Sequence, residues 1–278
     1  MRTSPEQIAS YMILQNHPSG ISELLASIKA EAGRDAFVST KPISRRNYVI
    51  CMLPRTGSTM LCSVLEKTGH LGYPDEYLNP RGVLQFHANT YCPSDILEYF
   101  DVLRRERSTP NGIFGLKVTF DDFRPIIDSF LIRQLLSPVQ FIYLEREDLV
   151  LQAVSAVVAQ QSGIWHRDAA GAPYQSMAIA EPTFDEPAII AKLDEYAQMR
   201  AGWERFFAIH SIMPLRFTYE RIVANIDEAV SQVAHAMGVD LKTHVDLSMS
   251  TTSRLADQRN YEWAERIRRK HRAQIEVV

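Results

Sequence analysis

An uninterrupted apolar run, Tyr48-Val49-Ile50-Cys51-Met52-Leu53, stops at Pro54 and passes through Arg55-Thr56-Gly57-Ser58-Thr59 into a helical pattern. The run reads as a strand, the break as an anion-binding turn and the residues after Thr59 as a helix, which makes this the first β-to-α crossover of an α/β domain. The first turn of a helix presents unpaired backbone N–H groups at its positive end, where phosphate or sulfate fits. Gly57 lets the backbone approach an oxyanion, Ser58 and Thr59 offer hydroxyls, and Arg55 adds a charge-assisted hydrogen bond. Met60, Leu61, Val64 and Leu65 recur at helical spacing, and Gly69 stands where a left-handed cap belongs. The turn is not a Walker A loop: no G-x-x-x-x-G-K-[ST] occurs, and no G-x-G-x-x-G follows a strand.

At 278 residues and a net charge of −3, the chain has room for one principal α/β domain with elaborations and lacks the basic field of a nucleic-acid binder. Any anionic ligand must be held by local residues. Cys51, Cys62 and Cys92 are odd in number and show no C-x-x-C spacing, so reduced, structural thiols are expected. The first thirty residues lack an apolar core flanked by basic residues, and no segment reaches the ~18 apolar residues that span a bilayer. A cytoplasmic protein without an integral membrane segment is the expectation.

Residues 1–46 read as an N-terminal helical extension, with helices near Pro5–Asn16 and Ser19–Ala32, and residues 47–278 as the α/β domain. The stripe Ile21, Leu24, Leu25 and Ile28 either packs on that domain or forms a homodimer contact. Further strands are expected at Gly112–Thr119, Val139–Leu144 and Leu215–Tyr219, with helices at Asp148–Gln161, Pro187–Ile209, Tyr219–Met237 and Glu262–His271. That alternation predicts a mainly parallel sheet. The segments Tyr73–Pro110 and Ser162–Pro187, rich in Pro, Gly and aromatics, read as irregular lids at the ligand edge.

A second anion clamp is suggested where the strand Tyr143-Leu144-Glu145 ends in Arg146, with Ser155 nine residues on. Arg146 is otherwise an ion-pair residue for Glu145, Glu147 or Asp148. Two clamps on one sheet suit a nucleotide with phosphates at both ends. The eight histidines show no H-E-x-x-H or paired ligand spacing, so no metal site is expected.

The order Arg55-Thr56-Gly57-Ser58-Thr59, Gly72-Tyr73-Pro74-Asp75-Glu76, Gly115-Leu116-Lys117, Arg146 with Ser155, and Tyr219-Glu220 resembles the sulfotransferases that use 3′-phosphoadenosine 5′-phosphosulfate (PAPS). Within them it is similar to the bacterial trehalose 2-sulfotransferase type, through Asn111-Gly112, Trp165, Ala256-Asp257-Gln258-Arg259 and Glu262-Trp263. The resemblance implies a P-loop-like α/β fold and transfer of a sulfuryl group from PAPS to a hydroxyl of a carbohydrate or glycolipid, leaving 3′-phosphoadenosine 5′-phosphate (PAP), without a metal. It makes Arg55, Thr56, Gly57, Ser58 and Thr59 the 5′-phosphosulfate loop, Arg146 and Ser155 the 3′-phosphate clamp, and Glu76 the general base, with Asp75 and His87 as competitors for that role. Lys117 either points at the transferred group or ends its strand in solvent, and Trp165 either stacks on a ring or joins the core. Gln258 and Arg259 could close over the cofactor, while Arg266, Arg268, Arg269, Lys270 and Arg272 form a solvated helix face. Tyr219-Glu220 reads as a helix start, a structural role. Two rivals stay open: a P-loop kinase using Arg55–Thr59 with Mg²⁺ and ATP, disfavoured by the missing Gly-Lys pair, and a non-catalytic nucleotide-binding protein whose lids contact a partner. The extension and lids depart from the family pattern, which leaves the acceptor open.

Overall fold

A computed structural model describes residues 18–80, 82–165, 180–242, 244–251 and 258–273. At its centre four strands, β1 (Arg46–Met52), β2 (Ile113–Thr119), β3 (Val139–Glu145) and β4 (Leu215–Thr218), form a sheet in the order β2-β1-β3-β4. Every pairing is parallel, with Ile50 opposite both Lys117 and Ile142. The expected α/β, P-loop-like parallel sheet is therefore observed. Side chains of β1 divide by alternation: Val49 and Cys51 enter one core, Tyr48, Ile50 and Met52 the other. Neither face meets water, which is why the strand is written as a continuous apolar run.

The described helices are α1 (Pro18–Ala32), α2 (Ser58–Lys67), α3 (Val83–Tyr91), α4 (Ile96–Glu106), α5 (Phe120–Asp128), α6 (Ile132–Leu136), α7 (Leu149–Ser162), α8 (Glu186–Ile209), α9 (Tyr219–Ala224), α10 (Ile226–Ala236) and α11 (Gln258–Arg272). One core gathers residues of α1, α3, α4, α5 and α8 around the fully buried Trp203, whose ring stacks on Phe207 at 5.8 Å. Removing such a side chain costs about 3–5 kcal/mol. The other core packs α2, α9 and α10 on the opposite face, and a third joins α7, α8 and α11 through Val154, Ile189, Ala264 and Ile267.

Ile21, Leu25 and Ile28 of α1 are buried in the first core with Leu24 against them, so this stripe packs on the α/β domain. The expected helix Pro5–Asn16 lies outside the described residues, as do His166 and most of the segment Ser162–Pro187.

Three expectations are corrected. Tyr73–Pro110 is not an irregular lid, because α3 and α4 occupy most of it. Ile96, Tyr99, Phe100 and Leu103 fall on one helical face and are buried, and Asp95 caps α4 by accepting from the Glu98 N–H. Those aromatics belong to the core. Tyr219–Met237 is two helices, since Asn225 adopts φ −152°, ψ 82° and its side chain accepts from the Glu228 N–H, competing with the helical backbone. Helix α11 begins at Gln258, ahead of the expected Glu262, and α5, with Pro125 inside it, has no counterpart among the expected helices. Among the described residues no helix is long and apolar enough to cross a membrane.

Candidate active site

All four strands deliver their carboxyl ends to one edge of the sheet, where open α/β folds bind ligands. There β1 runs through Pro54–Gly57 into α2. Arg55 and Gly57 both take left-handed backbone, at φ 69° and 75°, and Thr56 Oγ1 donates to the Leu53 carbonyl at 2.8 Å to close the turn. Gly57 caps α2 with no side-chain hydrogen bond, so no side chain satisfies the first N–H groups of the helix. A Cβ at Gly57 would lie 2.6 Å from the Tyr219 ring, so this glycine is required twice, by its φ and by that ring.

A left-handed arginine costs roughly 1–2 kcal/mol, and its neighbours hold it in place. The Gln152 amide donates to the Pro54 carbonyl at 2.7 Å, Arg146 Nη1 donates to the Arg55 carbonyl at 3.2 Å, and Arg55 Nε donates to Ser155 Oγ at 3.1 Å. Arg55 Nη1 donates to the Trp165 carbonyl at 2.6 Å. Gln152 is fully buried, and its Oε1 has no hydrogen-bond partner. Sequence reasoning passed over Gln152; the available signal was its place one turn before Ser155 on an otherwise apolar helix face. Burial pulls the Arg55 pKa down to about 10, with Tyr196 opposing and Arg146 adding to the shift, so the guanidinium stays charged at neutral pH.

Arg146 leaves β3 with a side chain only 6% exposed. Its guanidinium lies 4.8 Å over the Tyr219 ring, and its Nε has no hydrogen bond, the Glu220 carboxylate standing off at 3.6 Å. A buried cation with so few partners is an unfinished electrostatic site, and an incoming anion would complete it. Tyr219 and Glu220 therefore do more than start α9: the ring abuts Gly57 and Arg146, and the carboxylate faces Arg146.

A second group converges on the same loop. Lys117 Nζ pairs with Glu76 Oε1 at 2.9 Å and donates to Thr59 Oγ1 at 3.1 Å. Its side chain is 4% exposed, which excludes a strand end in solvent. Burial, the largest single influence, lowers the Lys117 pKa, but Glu76, Cys62 and Asp75 together raise it further and the net shift is upward, so the ammonium persists. Two positions earlier, a Cβ on Gly115 would lie 2.5 Å from the Tyr48 hydroxyl and 2.9 Å from Pro74. Only glycine lets the Tyr73–Glu76 segment lie this close to β2, where the Lys117 N–H donates to the Asp75 carbonyl at 3.0 Å.

That arrangement separates the candidate bases. Glu76 Oε2 accepts from Asn79 Nδ2 at 2.6 Å, so both carboxylate oxygens are oriented beside the loop. Asp75 instead turns Oδ1 back to accept from the Glu76 N–H at 2.8 Å. His87 is enclosed by the rings of Tyr77, Phe86 and Tyr91, and burial pushes its pKa down to about 4.

Other expected residues are placed differently. The Ser58 hydroxyl turns inward to Met52 Sδ at 3.7 Å and the Thr56 hydroxyl is spent on Leu53, which leaves Thr59 as the loop hydroxyl facing Lys117. Gln258 donates to Glu262 and Arg259 pairs with Glu181 at 2.7 Å, and these contacts do not bring them to the loop. Trp165, 38% exposed, is not core. Ala256 and Asp257 lie outside the described residues. The three cysteines are free and buried, and among the described residues no group of three or more His, Cys, Asp or Glu could hold a metal ion.

Comparison with known proteins bears on this geometry. A trehalose 2-sulfotransferase of Mycolicibacterium smegmatis is 26% identical over 80% of this chain and 94% of its own length. That of Mycobacterium tuberculosis is 28% identical over the same shares of each. Among solved structures, the sulfotransferase domain of the Synechococcus PCC 7002 olefin synthase has a TM-score of 0.46 at 14% identity, covering 84% of this chain and 98% of that one, a likeness too loose to carry weight. The Stf0 sulphotransferase model matches residues 47–270, a span that takes in the loop, Glu76, Lys117, Arg146 and Ser155. The chain belongs to the Stf0 sulphotransferase family.

Proposed function

We propose that this protein transfers a sulfuryl group from PAPS to a hydroxyl of a carbohydrate, free or carried on a glycolipid, releasing PAP, with Glu76 as general base. The observation that carries the proposal is the chain Glu76–Lys117–Thr59, which sets a carboxylate and a buried ammonium against the first turn of α2. The names of the two trehalose-modifying relatives support a sugar acceptor. A cytoplasmic location fits a nucleotide donor.

The residues suit such a donor, whose part is to supply an activated sulfuryl group on a phosphate leaving group. Arg146, under-satisfied and buried, would take the 3′-phosphate beside Ser155. The uncapped N–H groups of α2 and Arg55 would take the 5′-phosphosulfate. Glu76, half-buried and held by Asn79, would accept the proton of the acceptor hydroxyl as the new O–S bond forms. Lys117 would meet the negative charge that accumulates on the transferred group and its leaving oxygen. In the free protein Lys117 also holds Glu76 in place.

Calorimetric titration with PAP, in parallel with ATP plus Mg²⁺, tests the donor. Wild type should prefer the 3′-phosphorylated nucleotide, and Arg146→Ala should lose that preference. Preference for ATP, or no binding of PAP, would overturn the proposal.

A further inference from the structure

We propose that Glu220 tunes nucleotide affinity: its carboxylate, beside the buried Arg146, holds back the affinity of that guanidinium for a phosphate so that a bound 3′-phosphorylated nucleotide is still released. This deepens the function proposed above and rests on it.

The geometry is that of a pair kept slightly apart. Glu220 Oε2 accepts from the Glu147 N–H at 3.0 Å, which fixes the carboxylate on the backbone just after β3. Its Oε1 stands 3.6 Å from Arg146 Nε, close enough for strong Coulomb attraction but outside hydrogen-bond distance. Arg146 makes its one described hydrogen bond through Nη1 to the Arg55 carbonyl, and the face of its guanidinium lies on Tyr219. An anion arriving at Arg146 thus meets a cation whose field is already partly neutralised, and it comes to rest near a fixed negative charge.

This carboxylate is present whether or not the nucleotide is bound, so it opposes binding by its repulsion with the ligand's phosphate. A glutamine at 220 keeps the size of the side chain and an acceptor for the Glu147 N–H while removing the charge. Glu220 is about one-third exposed, so neutral residues are tolerated there more readily than in the core. With a phosphate carrying between one and two negative charges, loss of that repulsion should tighten binding about 5–20-fold. The change should appear as slower dissociation, since Glu220 acts at close range after docking.

The test compares PAP with adenosine 5′-monophosphate, which lacks the 3′-phosphate, on wild type, Glu220→Gln and Glu220→Ser, each alone and in an Arg146→Ala background. Both neutral variants should bind PAP about 5–20-fold tighter while their affinity for adenosine 5′-monophosphate is unchanged, and the gain should shrink without Arg146, which seats the phosphate beside the carboxylate. A purely structural Glu220 would instead weaken both nucleotides together. Wild type that binds PAP, with variants showing equal or weaker PAP affinity, would overturn this inference alone. Wild type with no preference for PAP would overturn the proposed donor, and this inference with it.

Discussion

Gly57→Ala is the substitution whose cost the structure defines most fully. The residue has φ 75°, and a Cβ there would come within 2.6 Å and 3.0 Å of two Tyr219 ring carbons. A left-handed alanine costs about 1–2 kcal/mol, and overpacking a contact of that kind costs about 1–3 kcal/mol more. The ring has little freedom to retreat, because Arg146 lies against it at 4.8 Å. Gly57→Ala should therefore destabilise the protein by about 2–5 kcal/mol in urea unfolding and weaken PAP binding, because the loop and Arg146 shift together. Pairing it with Tyr219→Ala should recover the steric share and leave the backbone share. A single variant within about 0.5 kcal/mol of wild type, binding PAP normally, would refute the claim that Gly57 and Tyr219 jointly set the loop.

Two further outcomes rest on buried groups near the loop. Gln152→Leu removes the donor to the Pro54 carbonyl and should weaken PAP binding by about 5–30-fold, with a loss of about 1–2 kcal/mol in stability; unchanged binding would show that Ser155 and Arg146 suffice to hold the loop. For His87 the folded pKa is about 4 against 6.5 for a free imidazole, so between these values the unfolded chain binds more protons. Stability should be complete above about pH 6.5 and fall by at most about 3 kcal/mol as pH drops to about 4. Denaturation measured across that range should lose this share of its slope in His87→Phe, and an unchanged slope would rule His87 out as its source.

What could be read from the chain was whatever is encoded in neighbouring residues. The run Tyr48–Leu53, the turn after it and the helical spacing of Leu61, Val64 and Leu65 all hold, because a central parallel strand and the helix next to it in the chain are specified locally. Arg146 and Ser155 emerged at the loop for the same reason, a strand end leading into a helix capped by Asp148. What escaped depends on contacts between distant residues. Gly57 answers to Tyr219 and Gly115 to Tyr48 and Pro74, and neither partner is visible from local pattern. Helices α3 and α4 were obscured because their buried aromatics and flanking prolines resemble a loop's composition, whereas only packing shows that Tyr99 and Phe100 belong to the core. Hydroxyl direction was equally hidden: Ser58 and Thr59 are adjacent, yet the helix turns one to Met52 and the other to Lys117.

The most direct test is turnover itself: wild type and Glu76→Gln incubated with PAPS and trehalose, with the sugar product monitored by mass spectrometry and PAP binding measured in parallel. The account predicts a sulfated sugar from wild type and a loss of about 10²–10⁴-fold in turnover for Glu76→Gln with PAP affinity retained. Near-normal turnover by Glu76→Gln would remove Glu76 as the base. PAP binding by wild type without transfer to trehalose or any other sugar tried would contradict the enzymatic claim and favour a binding protein.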